Sequence, residues 1–293
     1  MTVARSPSHL APAPRDGRSL TGDVRLLAAF ESVVLKNRRD VLVYLPPGYD
    51  ADAPRRYPVL YLHDGQNVFD SSTSYVGQEW GVDETAERLI HEGRMAPAII
   101  VAVYHAGVAR ADEYAPTRDL RKDAGGLADG YTTFLVSELK PYVDREFRTL
   151  NDGANTAVGG SSLGGLVTLH LGLRHPRVFG ALAVLSPSIW WDRRAMLMRV
   201  AALPGRLPWR IWLDVGTAEG RDTVRNARAL RGVLESKGWV AGEDLRYLEV
   251  QGATHSEAAW AARIEDLLLF LFPATAGLTA TGPCARAPAV RSP

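Results

Sequence analysis

The sequence contains a single cysteine, Cys284, and almost no long apolar runs. One cysteine cannot form an intramolecular disulfide bond or a cysteine-based zinc site. No stretch reaches the length of a membrane span, and the N-terminal residues MTVARSPSHLAPAPRDG lack the apolar core of a secretory signal. We therefore expect a cytoplasmic protein with no membrane partner, while a periplasmic or secreted location stays open.

An excess of charge of either sign is also absent. The chain has 34 Lys and Arg against 33 Asp and Glu, a net charge of +1, and its basic residues occur only in short scattered pairs. Proteins that bind nucleic acids usually carry a basic patch, so we expect no nucleic-acid partner. Composition does not determine the oligomeric state.

The length and apolar content are sufficient for one substantial core. The chain has 293 residues, of which 46% are hydrophobic, and α/β proteins of this size are commonly single domains. Residues 1–20 are rich in Pro, Ser and Arg, and residues 274–293 are small, Pro-rich and aperiodic. We interpret both as flexible tails that flank a single domain over residues 21–273.

Strand-like and helix-like segments alternate between these tails. Eight segments have strand character: 24–30, 40–45, 59–63, 98–103, 156–158, 181–185, 211–215 and 245–250. Helical patterns cover residues 82–92, 128–147, 163–174, 222–237 and 257–272. This alternation predicts a mostly parallel eight-stranded sheet with helices on both faces, whose first two strands pair antiparallel at one edge.

The segment VGGSSLGGLVTLHLGLRHP, residues 158–176, places two serines between two pairs of glycines. A flexible loop would explain the glycines, but a β-leaning run precedes them and leucines at helical spacing follow. A strand, a tight turn and a helix are the setting of the Gly-x-Ser-x-Gly nucleophile elbow, and its register makes Ser162 the candidate nucleophile. Glycine is needed at the flanking positions because strand and helix approach closely.

Ser162 follows the fifth predicted strand, a layout typical of the α/β-hydrolase fold, with the active site at the carboxyl ends of the strands. About 25 residues separate the sixth and seventh strands, which favours a small lid or none. A serine hydroxyl needs a base, and in this fold the histidine comes last in the chain. Of seven histidines, only His255 follows His175, and it lies just after the last strand.

The histidine in turn needs a carboxylate to orient it, expected after the seventh strand. The segment IWLDVGTAEGRD offers three acids. Asp214 falls inside the predicted strand, and Asp222 is predicted to lie at the N-terminus of a helix. Glu219, in the loop, is the first choice and Asp222 the second.

Several of these motifs together resemble a known family. YLHDGQNVFD, RADEYAPTRD, VGGSSLGG, LSPSIWW, DVGTAEG and GATHSEAAW are similar to motifs of the esterases grouped with enterochelin esterase. That family also includes esterase D, the feruloyl and acetylxylan esterases of carbohydrate esterase family one, and the mycolyltransferases. The resemblance covers about residues 20–273 and implies a triad of Ser162, His255 and Glu219 that requires no metal or organic cofactor.

Ester hydrolysis also requires N–H donors for the oxyanion. One is expected to be the Leu163 N–H, at the start of the elbow helix. The resemblance to the family's Asp-Gly-x motif places the second on Gln66. Three further side chains could bind substrate at the mouth of the site: Trp190, Trp191 and Arg110.

The expected function is that of a serine carboxylic-ester hydrolase working through an acyl-enzyme. Its small-molecule substrate could be a small acyl ester, a siderophore-type ester or a sugar-linked ester. One alternative is an acyltransferase of the same fold that uses an alcohol acceptor. A second is a hydrolase-fold binding protein without turnover, which loss of the serine or histidine would mark. Neither residue is lost here.

Overall fold

A twisted sheet flanked by helices forms the centre of the protein. The computed structural model describes residues 10–14 and 17–274. Its strands are β1 Ala11–Pro12, β2 Asp23–Ser32, β3 Asn37–Leu45, β4 Val59–His63, β5 Ile99–Val103, β6 Arg118–Asp119, β7 Ala124–Gly125, β8 Thr156–Ser161, β9 Ala181–Leu185, β10 Arg210–Gly216 and β11 Leu245–Val250.

The helices lie mainly between the later strands. They are α1 Val82–His91, α2 Arg110–Tyr114, α3 Ala128–Phe134, α4 Lys140–Glu146, α5 Leu163–Arg174, α6 Trp191–Ala201, α7 Arg221–Ser236, α8 Glu257–Ala261 and α9 Ile264–Leu271. A π-helical turn, Leu135–Leu139, joins α3 to α4, and short 3₁₀ turns occur at Gly65–Asn67, Gly107–Ala109 and Gly153–Asn155.

The large sheet has the order β1-β2-β3-β5-β4-β8-β9-β10-β11, and β6 pairs with β7 in a separate hairpin. The pairs β1–β2, β2–β3 and β3–β5 are antiparallel. The remaining neighbours in the large sheet, β5–β4, β4–β8, β8–β9, β9–β10 and β10–β11, are parallel. The prediction of a mostly parallel α/β-hydrolase sheet is therefore confirmed. A ninth, two-residue strand is added at the edge.

The two faces of the sheet are buried by different helices. Val41 and Val43 of β3 belong to a core that includes side chains of α3, α5 and α7. Leu42 and Tyr44, which point to the opposite face, pack with side chains of α1 and α9. Strands β4, β5, β8 and β9 are buried along their whole length, as expected of central parallel strands covered on both faces.

Some elements differ from the predictions. The predicted helix over 257–272 is interrupted between α8 and α9, where the Arg263 side chain turns inward to contact Asp214 at 2.5 Å. The pattern did not predict α2 or α6. Ala11 and Pro12, within the predicted N-terminal tail, pair with β2. Residues 1–9 and 275–293, including Cys284, lie outside the described residues.

The segment between β9 and β10 holds α6 as its one helix in the described structure, consistent with the predicted small lid. The start of α6 is kinked, because Asp192, Arg193 and Arg194 have positive φ angles of 42°, 54° and 67°. No helix in the described ranges is long and apolar enough to cross a membrane.

Candidate active site

Ser162 lies in the tight turn between β8 and α5. Its backbone has φ 59° and ψ −118°, an uncommon conformation for a residue with a side chain. A Cβ added at Gly160 would lie 3.0 Å from the His63 Cβ, and one at Gly164 would lie 3.4 Å from Asp64 Oδ2. The strand–turn–helix context predicted for the elbow is therefore present. Ser161, by contrast, is buried at the end of β8.

The Ser162 hydroxyl has one hydrogen-bonding neighbour in the described structure, the Ser188 hydroxyl at 3.3 Å. The Ser188 N–H also donates to the Ser162 carbonyl at 3.0 Å. The structure thus brings Ser162 to Ser188 and not into hydrogen-bond contact with His255. Ser188 was not among the predicted site residues, although it lies in the LSPSIWW segment that contributed to the family resemblance.

His255 and Glu219 are in direct contact. The Nδ1 of His255 lies 2.8 Å from Glu219 Oε2, and the Glu219 carboxylate is buried while the imidazole is 41% exposed. Glu219 Oε1 accepts hydrogen bonds from the Ser186 hydroxyl at 2.6 Å and from the Gly216 N–H at 2.7 Å. Burial alone would raise the pKa of Glu219, but the hydrogen bonds from His255, Ser186 and Gly216 outweigh it and lower that pKa.

The other two acids of the segment have different partners. The Asp222 side chain is 82% exposed and pairs with Arg225 at 2.8 Å. Asp214 is fully buried, where it contacts Arg263 and accepts a hydrogen bond from Trp212 Nε1 at 2.7 Å. Burial raises the pKa of Asp214 to about 6 despite the Arg263 charge. Of the three acids, Glu219 alone contacts the candidate base.

The two predicted oxyanion donors both lie at the start of helical turns. Among the described residues, neither the Leu163 N–H nor the Gln66 N–H has a hydrogen-bond partner. Asp64 precedes the Gln66 turn in the left-handed conformation, and a Cβ at Gly65 would lie 2.4 Å from the Ala102 backbone. Because Gly164 packs near Asp64, the two turns are neighbours.

Arg110 braces this second turn. Its guanidinium donates two hydrogen bonds to Asp64, at 2.6 and 2.7 Å, and lies over the Tyr114 ring at 5.2 Å. Glu113, on the same helix, pairs instead with Arg39 at 2.9 Å. The bidentate pair holds Arg110 against the candidate oxyanion turn.

The two adjacent tryptophans have different environments. Trp190 is 39% exposed, with Lys122 Nζ 4.9 Å from its ring centroid. Trp191 is 4% exposed, and its indole N–H donates to the Thr117 carbonyl at 2.9 Å. Only Trp190 of this pair therefore presents an aromatic face to solvent.

The potential metal ligands among the described residues lie apart from the candidate triad. His63 is fully buried beside Tyr131, and burial lowers its pKa to about 3, which keeps the ring neutral. Within the part of the chain that the structure describes, one acidic cluster has ligand oxygens all within 4.8 Å of one another: Glu79, Asp83 and Glu84. It lies at the start of α1 and includes none of the candidate catalytic residues.

Comparison with known proteins relates this geometry to a family. The family model described as "Putative esterase" matches residues 32–271. An endo-1,4-beta-xylanase/feruloyl esterase of Xylanibacter ruminicola is 33% identical over 236 residues, which are 78% of this chain and 29% of that protein. The ferri-bacillibactin esterase BesA of Bacillus subtilis is 28% identical over 164 residues, 50% of this chain and 53% of that protein.

A solved structure has the same fold. The enterobactin esterase FES of Shigella flexneri, in the presence of enterobactin, matches with a TM-score of 0.69 at 24% identity. The match covers 90% of this chain and 62% of that one.

Proposed function

We propose that this chain, which belongs to the putative esterase family and is an esterase, cleaves carboxylic esters with Ser162 as nucleophile. In this proposal His255 is the general base, and Glu219 is the acid that orients the base. The observation that carries this proposal is the 2.8 Å hydrogen bond between His255 and the buried Glu219. This hydrogen bond lies at the carboxyl ends of β10 and β11, the same edge of the parallel sheet at which Ser162 follows the end of β8.

In the acylation step, Ser162 Oγ attacks the ester carbonyl carbon and passes its proton to His255 Nε2. Glu219 accepts the Nδ1–H, which leaves the lone pair of the imidazole on Nε2 and stabilises the imidazolium once it forms. The Ser162 hydroxyl lies against Ser188 in the free enzyme. The hydroxyl must therefore exchange Ser188 for His255 as its hydrogen-bond partner, and catalytic hydrogen bonds commonly tighten only when substrate binds.

The carbonyl oxygen gains negative charge as the tetrahedral intermediate forms. The N–H groups of Leu163 and Gln66, which have no partner among the described residues, are proposed to donate hydrogen bonds to this oxygen and stabilise its charge. The positive end of the α5 dipole at Leu163 adds to their effect.

Collapse of the intermediate breaks the C–O bond, and protonated His255 gives its proton to the leaving alcohol. Water then enters, His255 removes one of its protons, and the hydroxide equivalent attacks the acyl-enzyme. The acid product leaves and Ser162 recovers its proton. An alcohol in place of water at this second step would make the protein an acyltransferase, so product analysis with competing alcohols is part of the test.

Substrate candidates are small acyl esters, siderophore-type esters and sugar-linked esters. The named relatives support the last two, since one is a feruloyl esterase and another a ferri-bacillibactin esterase. The exposed ring of Trp190 offers a flat face for an aromatic acyl group or a sugar. We propose that Trp190 and not the buried Trp191 contacts the substrate.

The proposal is tested by labelling and turnover together. An organophosphonate should label the wild-type protein on Ser162, as located by peptide mass spectrometry, and Ser162→Ala should lose both labelling and ester hydrolysis while Ser161→Ala keeps labelling. A panel of aryl esters of increasing acyl length, a feruloyl ester and a catecholate trilactone, compared by kcat/KM, then identifies the substrate class. Labelling that persists in Ser162→Ala would show that a different residue is the nucleophile.

A further inference from the structure

Ser186 connects the candidate triad to a buried tryptophan. It follows β9 directly, is fully buried, and has a φ angle of 41°. Its hydroxyl lies 2.6 Å from Glu219 Oε1, and the Trp260 indole nitrogen lies 3.0 Å from the same hydroxyl oxygen. Two non-catalytic side chains therefore continue the hydrogen-bond chain of the triad into the core.

The chemistry of these groups determines the direction of each hydrogen bond. An indole N–H can only donate, so the Ser186 oxygen accepts from Trp260. The single hydroxyl proton of Ser186 is then directed to Glu219 Oε1, which must accept it as a carboxylate oxygen. The other carboxylate oxygen, Oε2, faces His255 Nδ1 at 2.8 Å and accepts its proton. His255 Nε2 is consequently left as an acceptor, the state a general base requires.

Trp260 also contacts the imidazole itself. Its ring lies edge-on to the His255 ring, with centroids 4.9 Å apart and an angle of 83° between the planes. The same indole packs against Trp80 at 5.9 Å, which keeps it buried. One side chain thus limits the position of both the base and, through Ser186, the acid.

The backbone of Ser186 is held from the neighbouring strand. Its N–H donates to the Asp214 carbonyl at 3.0 Å and lies 3.1 Å from Asp214 Oδ1. Asp214 is in turn paired with Arg263, whose Nη2 lies 4.0 Å from Glu219 Oε1. Arg263 and Asp214 are the other charged groups that face Glu219, and the substitutions proposed below leave both in place.

We propose that Ser186 and Trp260 are positioning residues of the esterase reaction, which orient Glu219 and His255 through the chain Trp260 N–H to Ser186 O–H to Glu219. This inference rests on the proposed function, because it assigns a role relative to the Ser162, His255 and Glu219 triad. Neither residue touches the reacting atoms.

The hydroxyl is tested with two variants, Ser186→Ala and Ser186→Gly. Both remove the hydroxyl donor, but only glycine adopts the positive φ without strain. If the two variants have the same kcat, the loss comes from the hydroxyl and not from backbone strain. Each should lower kcat by about 10- to 100-fold, the range that corresponds to one hydrogen bond to a charged group, with little change in KM. In both variants the acid-side fall of kcat/KM should also move to higher pH. Without the Ser186 hydrogen bond, the Glu219 carboxylate interacts more strongly with the His255 imidazolium and stabilises it.

Two matched controls accompany them. Ser32 is an equally buried serine whose hydroxyl donates to Glu138 at 2.6 Å, remote from the triad, so Ser32→Ala should keep the kcat and pH profile of the wild type. Trp260→Phe keeps a ring against His255 but loses the indole donor, and it should lower kcat. Trp80→Phe changes the ring that packs against Trp260. Because the Trp80 indole nitrogen has no hydrogen-bond partner in the described residues, this variant should keep the wild-type kcat.

Folding is verified for every variant by circular dichroism and thermal unfolding. The proposal fails if both Ser186 variants are folded and keep the wild-type kcat and acid limb, or if Trp80→Phe and Trp260→Phe behave alike. A wild-type protein that hydrolyses no ester of the panel and takes no phosphonate label would instead refute the proposed function, and this outcome is distinguished by the wild type alone.

Discussion

Glu219 Oε2 lies 2.8 Å from His255 Nδ1, although the two residues are 36 positions apart in the chain and come from loops after different strands. The carboxylate is fully buried and the imidazole is partly exposed. A buried acid can therefore orient a histidine whose imidazole remains partly exposed.

This contact predicts the effect of removing the acid. Glu219→Gln should lower kcat by about 10² to 10⁴-fold with little change in substrate binding, because an amide cannot stabilise the imidazolium and can favour the wrong tautomer. Asp222→Asn is the matched control, since Asp222 is exposed and pairs with Arg225, and it should retain near-normal kcat. Steady-state kinetics on an aryl ester measures both. If Asp222→Asn lost most of its kcat while Glu219→Gln kept it, Asp222 would be the acid that orients His255.

The rate should depend on pH through the base. His255 must be neutral to accept the Ser162 proton, so kcat/KM should rise from acid to neutral pH as the base loses its proton. Glu219 should not contribute this limb, because its hydrogen bonds lower its pKa from the ordinary value and keep it ionised. Esters with different leaving groups verify that chemistry limits the rate. A profile that is flat from pH 5 to 7 would argue against His255 as the base.

The proposed second oxyanion donor, the Gln66 N–H, can be removed without changing any of the proposed catalytic side chains. Gln66→Pro deletes the backbone N–H, whereas Gln66→Ala keeps it. Because proline disfavours the helical conformation of the residue before it, here Gly65, circular dichroism and thermal unfolding first establish that both variants are folded. Gln66→Pro should lose about 10² to 10³-fold in kcat, the usual effect of losing one such donor. Gln66→Ala should stay near the wild type. Equal activity of two folded variants would place the donor elsewhere.

Protonation of Asp83, in the acidic cluster at the start of α1, should make the free energy of unfolding depend on pH. Burial, together with the neighbouring Glu84, raises its pKa to about 9. The folded state then holds a proton that the unfolded state releases near pH 4, so this group reduces stability as pH rises from about 4 towards 9. Asp83→Asn keeps an acceptor for the Thr21 N–H, which donates to Asp83 at 2.7 Å, and removes this cost.

We therefore expect Asp83→Asn to be more stable than the wild type at pH 8, by about 1 to 3 kcal/mol, and much closer to it at pH 4. Urea unfolding in EDTA measures this difference without a contribution from any cation that the three carboxylates could bind. Asp222→Asn, at an exposed site, should show no such pH-dependent gain. Asp83→Asn variants that lose stability at pH 8 would contradict the assignment of a protonated Asp83.

Much of the fold could be predicted because its signals are local. The leucines after Ser162 repeat at helical spacing, and α5 occupies Leu163–Arg174, the predicted 163–174. Strands β4, β9 and β11 have the predicted bounds, since apolar runs between turn residues report burial directly. By contrast, β1 consists of two residues and α2 of five, which is too short for any periodic pattern to indicate them.

The sequence by itself determined the candidate serine and histidine and offered Glu219 and then Asp222 as the acid, because an elbow and the ends of strands leave readable local patterns. Tertiary structure decided that Glu219 meets His255, that Trp190 is exposed while Trp191 is buried, and that Ser186, Ser188 and Trp260 contact the candidate catalytic residues. Those contacts join residues 26 to 74 positions apart. Spacing along the chain carries no information about such pairs, because strand order and burial in the folded sheet bring them together.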